Sequence, residues 1–236
     1  YQDWLKTFAD DPELVQELSA IAGDAAQIED RFYKGLEFGT AGMRGVLGYG
    51  TNRMNVYNVR RATQGLADFI LEAGGQEEGV AIAYDSRRCS PEFALEAAKV
   101  LCANGIRVYL YESLRPVPVL SFTVRHLHCL AGVVITASHN PSQYNGYKVY
   151  GPDGCQITDQ AAAQITDCID RVSYEQLGWL SEAQARACGL LETIPQSVFE
   201  DFIQRTLSRR VEAQPAAELN LVYTPLNGTG LAPVTE

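Results

Sequence analysis

The chain holds 236 residues, 46% of them apolar and 20% charged, with a net charge of −10. That composition belongs to a globular chain with room for a sizeable core, and its acidity argues against nucleic acid or an anionic membrane surface as the main partner. No apolar run has the length of a transmembrane helix, and the opening YQDWLKTFADDPEL lacks the basic-then-apolar pattern of a signal segment. The six cysteines (Cys89, Cys102, Cys129, Cys155, Cys168 and Cys188) are scattered with no C-x-x-C pair, as expected of free thiols in the cytoplasm.

A helical lead is expected over residues 1–38. Pro12 after Asp11 marks a helix start, and Leu14, Leu18 and Ile21 recur at helical spacing. A glycine-dense segment follows, from Phe38 through Gly39-Thr40-Ala41-Gly42-Met43-Arg44-Gly45 to Gly48 and Gly50. Asn55 then caps a helix with Val56, Val59, Leu66, Phe69 and Ile70 on its apolar face, closed by Gly74-Gly75.

The period now changes. Val80–Tyr84 reads as a strand ending in Asp85, Ser90-Pro91 opens a helix that closes at Gly105, and Arg107–Tyr111 is a second strand. A helical piece from Val117 to His126 leads to a third strand, Ala131–Thr136. Alternating strands and helices predict an α/β fold over 39–213, with a mostly parallel sheet covered by helices on both faces. Ligands in such sheets collect beyond the carboxyl ends of the strands, where Asp85 and Ser138 stand. Asn145-Gly146 suggests a tight turn that brings Lys148 back towards Ser138. Further on, Gly151-Pro152-Asp153-Gly154 is a turn, Thr158 caps a helix carrying Ile165 and Ile169, and Pro195 starts another. Val211–Glu218 reads as a linker. Leu219–Tyr223 and the loop to Gly230 read as the truncated start of a second α/β domain over 219–236. No internal repeat is visible.

Taken singly, a loop serine most often caps or turns the chain, and loop cations are solvated surface charges. The surroundings of Ser138 point further. Pro141 restricts Asn140 to extended conformations, which stiffens the loop. The nucleophile-elbow pattern is absent, since Thr136 and Asn140 stand where its glycines belong, so a serine hydrolase is poorly supported. A serine that carries a phosphoryl group instead needs cations and backbone N–H groups around its oxygens. Lys148, Arg44 in the glycine segment and Arg87 beside Asp85 are candidate cations, with Arg87 held by the Asp85 carboxylate and expected to fork onto phosphate. His139 could titrate or shape the loop, whereas His126 and His128 read as structural. The glycines match neither G-x-G-x-x-G before a helix nor a Walker A motif.

TASHNP (Thr136–Pro141) resembles the phosphoserine loop of the α-D-phosphohexomutases, the phosphoglucomutase and phosphomannomutase superfamily. GTAGMRG (Gly39–Gly45), DSR (Asp85–Arg87) and NGYK (Asn145–Lys148) resemble its companion motifs, in the form of the bacterial phosphoglucomutase and phosphopentomutase-like branch. The resemblance implies a phosphoserine at Ser138 that passes its phosphoryl group to a hexose phosphate through a bisphosphorylated sugar, with glucose 1,6-bisphosphate as activator. It implies that Arg44 and Lys148 flank the transferring group, with His139 beside it. Thr40, Gly42, Arg44, Arg87 and Asn140 would line the phosphate, and Asp85 and Asn145 would support the site. Magnesium is implied as a cofactor on the phosphoserine, together with a D-x-D-x-D-R loop that this sequence does not contain. Asn227 stands where a histidine is common in the family. The expectation is therefore a chain carrying the phosphoryl-bearing part of a phosphohexomutase and inactive alone. A non-catalytic module that carries phosphate or binds a sugar phosphate is the alternative.

Overall fold

Asp11 accepts the N–H groups of Glu13 and Leu14 and so starts helix α2 (Pro12–Ala20), which follows α1 (Gln2–Thr7). Asp24 caps α3 (Ala25–Phe32) in the same manner. The computed structural model describes residues 1–40, 42–211 and 220–236. Trp4, Leu14, Leu18 and Ile21 bury against Tyr57 of α4 (Val56–Glu72), so the helical lead packs on the fold that follows it. The Asn55 side chain caps α4 by accepting the N–H of Asn58.

One sheet organises the remainder, in the order β1 (Met43–Val46), β5 (Tyr144–Tyr150), β4 (Ala131–Ile135), β2 (Val80–Tyr84), β3 (Val108–Leu110) and β6 (Leu191–Thr193). β2 pairs in parallel with β3 and β4, and β3 with β6, while β5 runs antiparallel between β1 and β4. The sheet is thus mostly parallel. Every residue of β2 and β4 is buried, as strands covered on both faces must be.

The side chains alternate across that cover. Ile82, Val133 and Ile135 face α4, α5 (Ser90–Ala103) and α7 (Asp159–Arg171). Ala81, Ala83 and Val134 face α6 (Val117–His126) and α9 (Gln196–Leu207). Among the described residues no helix is long and apolar enough to cross a membrane.

Three expectations need correction. Asn145-Gly146 is not a turn but the start of β5, where Asn145 pairs with Gly45 and Gly146 with Arg44. Two antiparallel neighbours supply the ladder that the local sequence does not advertise. The glycine segment likewise contains β1, and the short β6 closes the other edge. The strand expected over Leu219–Tyr223 does not form in its described part. Asn220–Tyr223 is irregular and pairs with no described strand, and Leu221 and Val222 are exposed. Past it lies the short α10 (Leu231–Thr235), with Ala232 against the α6–α9 side of the core. Of the expected linker only Val211 lies within the described residues.

Candidate active site

The carboxyl ends of β2 and β4 lie side by side, joined by the Asp85 N–H donating to the Ile135 carbonyl at 3.1 Å. Asp85 Oδ1 accepts from the Arg87 N–H at 2.9 Å and from Ser90 Oγ at 2.7 Å, which closes a tight turn into α5. Asn145, fully buried, donates to the Arg88 carbonyl at 2.9 Å and to Ser90 Oγ at 3.0 Å, so β5 is tied to the same turn.

Arg87 is the hub. Its Nε lies 3.3 Å from Asp85 Oδ2. Nη1 donates to the carbonyls of Pro141 and Tyr144, each at 3.0 Å, and Nη2 to those of Ser138 at 2.7 Å and Asn140 at 2.6 Å. With its donors committed to the loop and to Asp85, this guanidinium holds the serine loop and has no fork left for an anion. The neighbouring Ser86 hydroxyl donates to the Asn227 carbonyl, bringing the loop before α10 to the same strand end.

Beyond β4, Thr136 Oγ1 accepts the Ser138 N–H at 2.9 Å. Ser138 itself takes a left-handed backbone, φ 57°, which a non-glycine residue rarely adopts, and its side chain is exposed. His139 Nδ1 lies 3.4 Å from Ser138 Oγ, a long contact.

The cations come from β1 and β5. Arg44 pairs with Gly146, two residues before Lys148, so Arg44 and Lys148 share one sheet face. With its amide oxygen toward β1, Asn140 accepts from Arg44 Nη1 at 3.2 Å and Nε at 3.1 Å, linking the serine loop to that arginine. Burial pushes the Lys148 amine below the ordinary lysine value, the Arg44 charge pushes it further down, and Asp85 partly opposes both. A lysine so placed gives up its proton more readily than a surface one.

Gly42 sits differently from expectation. The Gly42 N–H donates to the Gly39 carbonyl at 2.7 Å, so that amide is spent within its own turn. A Cβ at Gly42 would stand 1.9 Å from the Tyr147 carbonyl oxygen. Gly42 thus lets β1 approach β5 rather than binding an anion. Thr40 lies in the turn between Gly39 and Gly42.

Among the described residues no three His, Cys, Asp or Glu side chains gather to hold a metal. The described residues do not form a magnesium cage, and the oxygens of a phosphorylated Ser138 would offer the ion ligands. A cleft of about 1070 Å³ lies elsewhere, between α6 and α9, and shares no residue with the serine loop.

Sequence reasoning placed Ser138, Arg44, Lys148 and Asn140 in one neighbourhood; in the structure Asn140 of the serine loop bonds Arg44, which shares a sheet face with Lys148. It missed Thr136 and Ser90, whose hydroxyls order the two loops. Ser90 at a helix start was a visible signal, but Thr136, at the end of an apolar run, was not.

Residues 35–176 match the family model "Phosphoglucomutase/phosphomannomutase, alpha/beta/alpha domain I". The chain belongs to the phosphoglucomutase/phosphomannomutase family. It is 39% identical over 196 residues to a phosphoglucomutase of Staphylococcus epidermidis RP62A, covering 83% of this chain and 36% of that protein. To the phosphoglucomutase of Staphylococcus aureus USA300 it is 37% identical over 213 residues, covering 89% and 38%. Among solved structures, a candidate phosphomannomutase of Thermus thermophilus superposes with a TM-score of 0.60 at 28% identity, over 73% of this chain and 36% of that one. A Burkholderia thailandensis family member at 24% identity and a TM-score of 0.57 shares the fold, over 73% of this chain and 35% of that one. The family member described here spans little more than a third of the length of these relatives.

Proposed function

We propose that the chain carries the phosphoryl-accepting serine of a phosphohexomutase that interconverts glucose 1-phosphate and glucose 6-phosphate or a related sugar phosphate. Ser138, held left-handed on a loop that Arg87 clamps and Asn140 ties to Arg44, with Lys148 on the same sheet face as that arginine, is the observation that carries this reading. In the reaction, the bond from phosphorus to Ser138 Oγ breaks as a bond to the sugar hydroxyl forms. The hydroxyl proton passes to Lys148 in its neutral form, and the ammonium so formed gives a proton to Ser138 Oγ as its bond to phosphorus breaks. The bisphosphorylated sugar turns over and gives its other phosphoryl group back to the serine. Arg44 stabilises the spreading phosphoryl charge through its guanidinium donors. His139 flanks the serine oxygen, and Asn140 holds Arg44 against the loop.

Magnesium would neutralise phosphoryl charge at such a site, and the described residues form no cage for it. Residues 219–236 begin a second domain in this reading. The free thiols are those of a cytoplasmic enzyme of sugar metabolism, and glucose 1,6-bisphosphate primes the serine.

Incubation with glucose 1,6-bisphosphate and magnesium, followed by peptide mass spectrometry, tests the reading. Phosphate is expected on Ser138 and is lost in Ser138→Ala. Phosphate on another residue, or equal labelling of the variant, overturns it. In a coupled assay for glucose 6-phosphate, turnover is expected of the full-length enzyme and not of these 236 residues alone.

A further inference from the structure

The geometry points to Arg87 as a positioning residue that sets the polarity of the serine loop, so that the backbone N–H groups of His139 and Ser142 face outward as donors to the phosphoryl oxygens. This rests on Ser138 being the phosphoryl carrier. Four loop carbonyls, those of Ser138, Asn140, Pro141 and Tyr144, converge on one guanidinium whose side chain is only 13% exposed. A planar trans peptide points the carbonyl of one residue and the N–H of the next in opposite directions. Turning the Ser138 carbonyl onto Arg87 therefore turns the His139 N–H away from it, and turning the Pro141 carbonyl inward does the same for Ser142. Asn140 loses no donor by facing inward, because the next residue is Pro141, which has no N–H.

The two outward amides are available. His139 and Ser142 are exposed, and neither N–H donates to any described acceptor, whereas the N–H groups of Ser138, Asn140 and Tyr144 are bonded to Thr136, Ala137 and Pro141. The loop thus has an inner side lined with carbonyls that a cation neutralises and an outer side lined with N–H groups. Backbone amides grouped in this way form an anion site. Without Arg87, carbonyl oxygens could swing outward and meet the phosphoryl group with the wrong sign. The role expected from the sequence, direct contact with phosphate, becomes an indirect one.

The test uses the full-length protein, phosphorylated with glucose 1,6-bisphosphate, and three variants. Arg87→Ala removes the clamp, Arg87→Lys keeps the charge beside Asp85 but not the fork, and Ser142→Pro deletes one outward amide. The last is compatible with the fold, because Ser142 is the second residue of the turn closed by the Tyr144 N–H on the Pro141 carbonyl at 3.0 Å, a position that proline favours. Expected are a fall in kcat of about 10²-fold for each Arg87 variant, an unchanged KM for glucose 1-phosphate, and partial rescue of Arg87→Ala by guanidinium. Faster hydrogen exchange should be confined to residues 136–145. By ³¹P NMR the second pKa of the phosphoserine should rise in all three variants, because donors that favour the dianion are lost.

An Arg87 variant with raised KM and full kcat would make Arg87 a substrate contact and overturn the proposal. An unshifted phosphoserine titration in Ser142→Pro would overturn the outward-amide arrangement even if neither Arg87 variant folds. Should the wild-type protein carry no phosphate on Ser138, the parent reading fails instead, and the two failures are distinct.

Discussion

Gly42 and Ser138 both hold a left-handed backbone, at φ 73° and 57°, in the two segments that bring charge and hydroxyl to the site. Around Gly42 there is no room: an ideal Cβ would meet the Tyr147 carbonyl oxygen at 1.9 Å and the Lys148 Cα at 2.8 Å. Ser138 instead is exposed, its N–H on Thr136 Oγ1 and its carbonyl on Arg87. The glycine segment is fixed by close backbone contact, which no side chain could tolerate. The serine loop is fixed by directed polar bonds, which hold a residue in a conformation it disfavours. Strain at Ser138 is therefore a local cost borne by the clamp, while the glycine at 42 is a condition for β1 to dock at all.

Substitution at the first position breaks the comparison most violently. Gly42→Ala places a methyl group inside the van der Waals radius of a carbonyl oxygen and adds left-handed strain, so a loss of roughly 3 kcal/mol or more is expected, at the upper end of single substitutions. Urea denaturation followed by circular dichroism measures it. A midpoint unchanged from wild type would mean that β1 can leave β5 without consequence.

The second position sharpens the contrast. Because left-handed strain at a non-glycine residue is worth roughly 1–2 kcal/mol, Ser138→Gly should be more stable than Ser138→Ala by about 1 kcal/mol, less the extra chain entropy of glycine. Neither variant should accept phosphate. The same denaturation experiment compares them, and an alanine variant as stable as the glycine variant would show that the clamp does not impose the conformation.

How much of this was legible beforehand follows from what each element relies on. β2 and β4 are continuous apolar runs, and α4 carries its cap and periodic face in its own residues, so local reading found them. β1 and β5 depend on each other. Their residues include Gly45, Asn145, Gly146 and Lys148, and Asn145-Gly146 carries a turn signature that tertiary pairing overrides. Gly146 is suited to its place, since a Cβ there would stand 2.7 Å from the Thr136 carbonyl oxygen, but a sequence does not display that neighbour. Ser138 was visible because its motif is contiguous. The work of Arg87 was not, because its partners are backbone carbonyls spread from Ser138 to Tyr144, and carbonyls have no letter in the sequence. Its side chain alone suggested a phosphate fork.

The smallest expected effect concerns the charge that the Gly42 contact helps to place. Docking of β1 on β5 sets Arg44 opposite Gly146 and so on the same face as Lys148, where its charge adds to burial in lowering the lysine's pKa. Lys34 is the internal contrast, since its bond to Glu37 raises its pKa. In competitive acetylation across a pH series, Lys148 should reach half-maximal reactivity at a lower pH than Lys34. Arg44→Met removes one of the two causes of the depression, so the Lys148 midpoint should move upward, but not as far as that of Lys34, because burial remains. The sign carries over to stability. A lysine whose pKa is lower in the folded state than in the unfolded chain costs stability below the folded value, and that cost falls as pH rises from the folded value to the unfolded one. Wild type should therefore gain stability relative to Lys148→Met on going from neutral to alkaline pH, and Arg44→Met should show a smaller gain over the same range. If Arg44→Met left the Lys148 midpoint where it was, the two cations would not share a face closely enough to act on one phosphoryl group, and the assignment of Arg44 to the site would fall with it.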